Sequence, residues 1–405
     1  MVKELDYPLQ NSALDVPLRD VLSLDEIARQ RYINNLLTSL SKVIKKDEFA
    51  LKGRISFATE MKDLRKLLHM PADKYLYTDE QSGRNRDTYK RNVFGKGSPG
   101  STHTFWSRNQ MWKMRTKGGD LKQLILSKDK RLVSTLDRLF DPTNQGKEGF
   151  RDYKKTAVRV ALSYMEFDKG SGTAFPPFHA KYLADKYLPV EGDGVVVDPC
   201  AGWGGRLLGT LCVKRTGKVT YYGIDPETHN KPAYEGLERR INVWLKKELT
   251  GERTATIAYI PFEDWLKTKN AKSLRGTVDL VFTSPPYFSA ENYNPDNKKQ
   301  SANRYKNYDA WRNGFYKQLV RGAYGLLKPG GTFVLNIANV AEAPKLESDA
   351  RALAKEIGFE NGGFYKLAMS LSPSSRKTGK VRHSVLVNGK TFKHEPVFCF
   401  RKPSA

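Results

Sequence analysis

From about residue 190 onward, short apolar runs alternate with longer amphipathic stretches. The runs are GVVVDP (194–199), VTYYGID (219–225), TATIAYI (254–260), VDLVFTS (278–284) and GTFVLNIA (331–338). Their length and their Val, Ile, Tyr and Phe content read as strands, and HNKPAYEGLERRINVWLKKEL (229–249) between two of them reads as helix. Such alternation predicts an α/β domain with a mostly parallel sheet and helices on both faces. Before residue 150 the texture is one of helices and polar loops. SLDEIARQRYINNLLTSLSKVIKK (23–46) opens with Ser23 and carries Glu26 three residues on, a capping-box pattern that predicts one long helix. The chain therefore divides into a helical, basic N-terminal extension (1–150) and an α/β domain (151–405). No internal repeat or long low-complexity tract is present.

The run VDLVFTS stops abruptly. Pro285 and Pro286 follow Ser284, and proline has no backbone N–H to give a sheet, so the strand ends at Ser284 and Tyr287 comes directly after. In open α/β sheets ligands bind beyond the carboxyl ends of the strands, which puts this stop at the rim of a candidate site. By itself S-P-P-Y reads better as a rigid turn, and its neighbours have to decide.

Other strand ends carry acids. VVVDPCAGWGGRLLG (195–209) has glycines at Gly202, Gly204 and Gly205, suited to a tight turn that brings backbone N–H groups to a ligand. It lacks the Lys-Ser/Thr of a phosphate loop and departs from G-x-G-x-x-G, and Asp198 at the strand tip suits a cationic amino group rather than a pyrophosphate. Asp225 ends the second strand, where an acid can take both ribose hydroxyls. After the third strand, PFEDW (261–265) offers Glu263 or Asp264 as acceptor for an adenine amino group. Each acid also has a plain reading as a helix N-terminal carboxylate.

Charge narrows the partners. The 405 residues carry a formal net charge of +25, enough to attract a polyanion, and nucleic acid leads over an anionic membrane. Between Gln81 and Arg131, thirteen Lys and Arg oppose three Asp and are interleaved with Tyr89, Phe94, Phe105, Trp106 and Trp112. Cations pair with phosphates and rings stack on bases, so Arg84, Arg91, Arg108, Lys113 and Arg115 are candidate nucleic-acid contacts; a solvated loop is the alternative. Three cysteines without C-x-x-C or ligand-spaced histidines support neither disulfide nor metal site. No 18-residue apolar run or signal-peptide core is seen, so a soluble cytoplasmic protein with no membrane partner is expected.

Together these motifs resemble the amino-group DNA methyltransferases. DPCAGWGG (198–205) is similar to their cofactor loop, TSPPYF (283–288) to their catalytic motif, and GTAFPPFHAKYLADKYL (172–188) to the segment built round a Phe and a helix. LLKPGGTFVLNIANV (326–340) and HEPVFCFRK (394–402) match the fifth-strand region and the last strand. The resemblance implies a Rossmann-like class I methyltransferase domain using S-adenosyl-L-methionine. Phe175, Asp198, Pro199, Ala201, Gly202, Gly204, Asp225, Glu263 and Asp264 would bind the cofactor. Ser284, Pro285, Pro286 and Tyr287 would be catalytic, with hydroxyl and carbonyl accepting hydrogens of the reacting amine and Tyr287 stacking on a flipped base. Phe288 would be a second ring, and Lys298 and Arg304 would touch the DNA backbone. Serine in the first motif position favours cytosine N4 over adenine N6. The basic extension would read double-stranded DNA sequence-specifically, as in restriction–modification with a cognate nuclease, in a bacterial cell or a phage-infected host. RNA bases or a protein glutamine amide are the alternative substrates; oligomeric state stays open.

Overall fold

The computed structural model describes residues 16–45, 57–80, 91–100, 115–116, 119–120, 126–127, 130–147, 174–244, 248–369 and 383–404. The chain forms two compact units: Met1–Ser56 with Arg108–Gly172 and Pro373–Thr378, and Phe57–Ser107 with Thr173–Ser372 and Gly379–Ala405. In chain order the strands are β1 (Leu76–Tyr77), β2 (Val93–Phe94), β3 (Arg115–Thr116), β4 (Gly119–Asp120), β5 (Gly194–Asp198), β6 (Val219–Ile224), β7 (Arg253–Ala258), β8 (Val278–Thr283), β9 (Leu327–Asn336), β10 (Glu360–Met369), β11 (Ser384–Val387) and β12 (Lys390–Arg401).

In the first unit the helices Leu18–Leu22, Glu26–Lys45 and Lys130–Phe140 bury Leu18, Val21, Leu36, Leu37, Leu136 and Leu139. Tyr32 meets Phe140 edge-on at 5.5 Å. The long helix forms where the periodicity predicts it, but its cap differs. Ser23 closes the preceding helix and donates to the Asp20 carbonyl at 2.8 Å, so Asp25 takes the N-cap and accepts the Ala28 N–H at 2.7 Å.

The second unit is built on a sheet of order β1-β2-β10-β12-β9-β8-β5-β6-β7, with β11 paired to β12. Strands β5 to β9 run parallel to one another, and β12 is inserted antiparallel between β9 and β10. This is a Rossmann-like, mostly parallel sheet. The chain leaves β5 toward β6 on one side and later enters β8 on the other, so the order reverses at β5, and in open α/β sheets ligands bind beyond the strand ends at such a reversal. Alternate residues feed two cores. Val196, Leu280 and Phe282 join Phe178 and Leu208 on one face, while Val197 and Val281 join Phe262, Trp311 and Leu319 on the other. Every residue of β8 is buried, as a strand covered on both faces requires.

Part of the predicted N-terminal extension belongs to this sheet unit. β2 pairs parallel to β10, Val93 opposite Lys366 and Phe94 opposite Leu367. The buried Lys181 ammonium donates to the carbonyls of Leu67 and Leu68 at 2.8 and 2.7 Å, capping the free end of the Phe57–His69 helix. His179, 1% exposed and held neutral by burial at a pKa of about 4, donates to the Gly95 carbonyl at 2.8 Å. Residues 57–107 therefore group with the α/β residues, unlike the division at residue 150 expected from sequence; two-residue strands carry no alternation by which to see this. Among the described residues no helix is long and apolar enough to cross a membrane.

Candidate active site

The turn after β5 owes its shape to glycine. Gly202 and Gly204 take left-handed φ angles of 59° and 80°, and a Cβ at Gly205 would lie 2.1 Å from the Phe175 carbonyl oxygen. The Gly202 N–H donates to Asp225 Oδ2 at 2.8 Å, its carbonyl accepts from Asn230 Nδ2 at 2.9 Å and from the Tyr234 hydroxyl, and the Ala201 N–H donates to Ile224 at 2.9 Å. Pro199 is buried within the same turn. The Phe175 ring faces the core, edge-on to Phe282 at 5.1 Å, so this residue braces the turn from behind rather than presenting a face to a ligand.

Asp198 has a different partner from the expected ammonium group. It is fully buried, and its oxygens accept from Arg206 Nε at 2.7 Å and Nη2 at 3.3 Å, from the Tyr221 hydroxyl at 2.6 Å and from the Cys200 N–H at 3.2 Å. Those donors engage both oxygens of the carboxylate within the protein itself. Arg206 also donates to the Cys200 carbonyl, tying strand tip, turn and helix together. Burial disfavours the guanidinium charge, and the facing Asp198 more than restores it, raising Arg206 above its ordinary pKa.

Asp225 and Glu263 stand differently. Asp225, half-buried at the tip of β6, accepts the N–H groups of Gly202 and of Glu227 (2.9 Å), yet burial pushes its pKa up to about 7 against those bonds. Glu263 Oε1 accepts from the Tyr305 hydroxyl at 3.0 Å and pairs with Arg304 at 3.1 Å, whereas Glu263 Oε2 is buried with no hydrogen-bond partner. An orphaned carboxylate oxygen costs stability unless a donor arrives, and a ligand amino group is such a donor. Asp264 is spent on Arg304 at 2.7 Å and Lys267 at 3.1 Å, and the Arg304 hydrogen bond lowers its pKa. These contacts also occupy Arg304, expected on the DNA backbone. Asp225 and the unpaired Glu263 oxygen, after successive strands beside a glycine turn, fit an adenosyl ligand.

At the end of β8, Ser284 donates to Asn336 Oδ1 at 3.3 Å, and Asn336 Nδ2 donates to the Pro396 carbonyl at 3.0 Å. Among the described residues nothing donates to the Pro285 carbonyl. The Pro286 carbonyl accepts the Phe288 N–H at 2.9 Å across Tyr287 (φ −83°, ψ 64°), an inverse γ-turn that swings the chain away from the sheet. Phe288 follows at φ 54°, a strained value for a residue with a Cβ. Tyr287, 7% exposed, is held at both ends: its N–H donates to Glu291 Oε2 at 3.1 Å and its hydroxyl to Glu395 Oε2 at 3.3 Å. Burial pushes Glu291 up to about 7. The Phe288 ring is enclosed by Tyr308 and Trp311 at 5.7 and 5.8 Å, which makes it a packing residue rather than a second stacking face.

Several residues not singled out from sequence complete the site. Glu227, 4% exposed, accepts from Asn294 Nδ2 at 3.1 Å, Asn297 Nδ2 at 3.4 Å and Gln300 Nε2 at 3.2 Å, binding the segment after S-P-P-Y to the tip of β6. Trp203 meets Tyr293 edge-on at 5.9 Å. Lys298 is exposed. Arg91 is committed to Asp73 and to the Leu76 carbonyl, each at 2.8 Å, so it braces its own segment instead of reaching a phosphate. Arg84, Arg108 and Lys113 lie outside the described residues; Arg115 opens β3, its side chain likewise outside them.

Residues 278–405, from β8 through the last strand, match a family model described as DNA methylase. None of the curated proteins matches the chain significantly. Among solved structures, an S-adenosylmethionine-dependent O-methyltransferase from Thermotoga maritima is similar at 12% identity over 63% of this chain and 77% of its own, with TM-score 0.32. A methyltransferase-like protein from Bacillus halodurans shows 14% identity over 55% and 99%, TM-score 0.31. A protein from Pyrococcus horikoshii, described as an RNA methyltransferase, shows 14% over 58% and 94%, TM-score 0.31. Likenesses at these scores add nothing to what the strand order establishes.

Proposed function

We propose that this protein is a DNA methyltransferase that uses S-adenosyl-L-methionine to methylate an exocyclic amino group of a flipped base, cytosine N4 in preference to adenine N6. The observation that carries the reading is the end of β8. Ser284, its hydrogen given to Asn336, and the Pro285 carbonyl, with no donor among the described residues, are oxygen acceptors one residue apart. An exocyclic amine is a poor nucleophile because its lone pair is delocalised into the ring. Acceptors that pull on its hydrogens favour a more tetrahedral nitrogen and return that lone pair. Tyr287, clamped by Glu291 and Glu395, supplies a ring against which a flipped base can stack. The DNA methylase match over this same segment supports DNA as the substrate.

The cofactor supplies an electrophilic methyl group on a sulfonium when bound. In this reading Asp225 holds its ribose hydroxyls, Glu263 Oε2 its adenine amino group, and the backbone of Pro199, Ala201, Gly202 and Gly204 lines it. Asp198 acts through Arg206, keeping the turn in shape. Arg84, Arg108, Lys113 and Arg115 contact DNA, with exposed Lys298 at the rim, and a restriction nuclease of the same specificity is the partner this activity implies. Nucleoside analysis of DNA methylated with labelled cofactor tests the reading: label on an exocyclic nitrogen supports it, and label confined to RNA or protein overturns it.

A further inference from the structure

Groups that can each act in only one sense fix the direction of the Ser284 hydroxyl. The Pro396 carbonyl can only accept, and it takes the Ile337 N–H at 3.2 Å together with the Asn336 side-chain amide at 3.0 Å. That contact turns the nitrogen of Asn336 toward Pro396 and leaves Oδ1, also only an acceptor, 3.3 Å from Ser284 Oγ. The Tyr287 phenol, having sent its own hydrogen to Glu395, is a second acceptor beside Ser284, so both neighbours of the serine can take its hydrogen and neither gives one. Asn336 is 3% exposed at the end of an otherwise apolar strand run, a costly place for an amide unless both ends are bonded, as they are.

We propose that Asn336 is a positioning residue for methyl transfer: through it the Pro396 carbonyl turns the Ser284 hydrogen inward, so that the serine oxygen meets the reacting amine with lone pairs only. The inference rests on the reading above that Ser284 faces the amine. A serine free to rotate would spend part of its time donating its hydrogen to the amine nitrogen, engaging the lone pair that must attack. β12 thereby sets the chemistry at the end of β8, although Asn336 and Pro396 need not touch substrate.

Single-turnover methyl transfer to PCR-amplified bacterial DNA, which carries no prior methylation, tests this in the full-length protein. Asn336→Ala should slow transfer about 10- to 100-fold, as loss of an orienting partner does, with cofactor affinity by calorimetry unchanged. Ser284→Ala combined with Asn336→Ala should be no slower than Ser284→Ala alone, because the asparagine acts only through the serine. Effects that multiply in the double variant would overturn the inference while leaving the Ser284 reading intact; Ser284→Ala at the parent rate would overturn that reading and the inference with it. Asn336→Asp decides the matter should Asn336→Ala not fold. Protonated, that carboxyl both donates to Pro396 and accepts from Ser284; ionised, it can only accept and repels the carbonyl. Its rate relative to the parent should fall as pH rises, and a pH-independent ratio would contradict the proposal.

Discussion

Replacing Arg206 with Met tests whether the acid of the cofactor turn is structural. The substitution keeps most of the side-chain volume and removes the donors at 2.7 and 3.3 Å from Asp198, as well as the bond to the Cys200 carbonyl. Asp198, 0% exposed, would retain only Tyr221 at 2.6 Å and the Cys200 N–H at 3.2 Å. Breaking a buried pair from one side leaves an uncompensated charge, at a cost of about 3–5 kcal/mol. For a unit of this size that is a fall in Tm of roughly 6–20 °C. Adding Asp198→Asn should narrow the gap in Tm between parent and variant. Thermal unfolding followed by circular dichroism, with calorimetric cofactor titration beside it, reads both effects. A loss below about 1 kcal/mol in Arg206→Met, together with Asp198→Asn that weakens cofactor binding but not folding, would refute the structural role and return Asp198 to the cofactor's ammonium group.

Asp225 is raised from its ordinary 3.8 to about 7 by burial, and on the proposed reading ribose hydroxyls would donate to its ionised form. Without cofactor this group costs stability increasingly as pH rises from about 4 to about 7; cofactor binding at pH 6 should release most of the proton it holds, roughly 0.9. Calorimetry in two buffers of different ionisation enthalpy measures that release, and Asp225→Asn should abolish it. Tyr287→Ala removes a stacking face worth about 1–3 kcal/mol per base, so methyl transfer should collapse while calorimetric cofactor affinity holds. Charge reversal at Lys113 and Arg115 should flatten the log–log salt dependence of DNA binding by about 0.9 for each phosphate no longer neutralised; an unchanged slope in a filter-binding titration would make the segment a solvated surface.

The parallel strands were legible because a buried strand needs a continuous run of β-branched and aromatic residues, and the candidate site could be proposed because S-P-P-Y and the acids stand at the ends of those runs. What escaped depends on distant partners. Asp198 and Arg206 meet only because left-handed Gly202 and Gly204 fold the turn back, so the acid alone looks like a ligand group. β2 consists of two residues, too few to show a period, and it joins the sheet through β10 far along the chain. Ser23 carries the right spacing for a capping box, but the short helix before it takes that serine first. One signal lay in plain view: Asn336 interrupts GTFVLNIA as a polar residue in an apolar run, and a buried amide there requires partners on both sides.

If Ser284, Pro285 and Tyr287 direct a methyl group onto an exocyclic nitrogen of DNA, unmethylated DNA incubated with methyl-labelled S-adenosylmethionine and the parent protein, then digested to nucleosides, should carry label in N4-methyldeoxycytidine. The Ser284→Ala, Tyr287→Ala double variant should leave almost none. Label in N6-methyldeoxyadenosine would move the target base while keeping the chemistry. Label on a ring carbon, or a double variant that methylates at the parent rate, would place the reaction elsewhere.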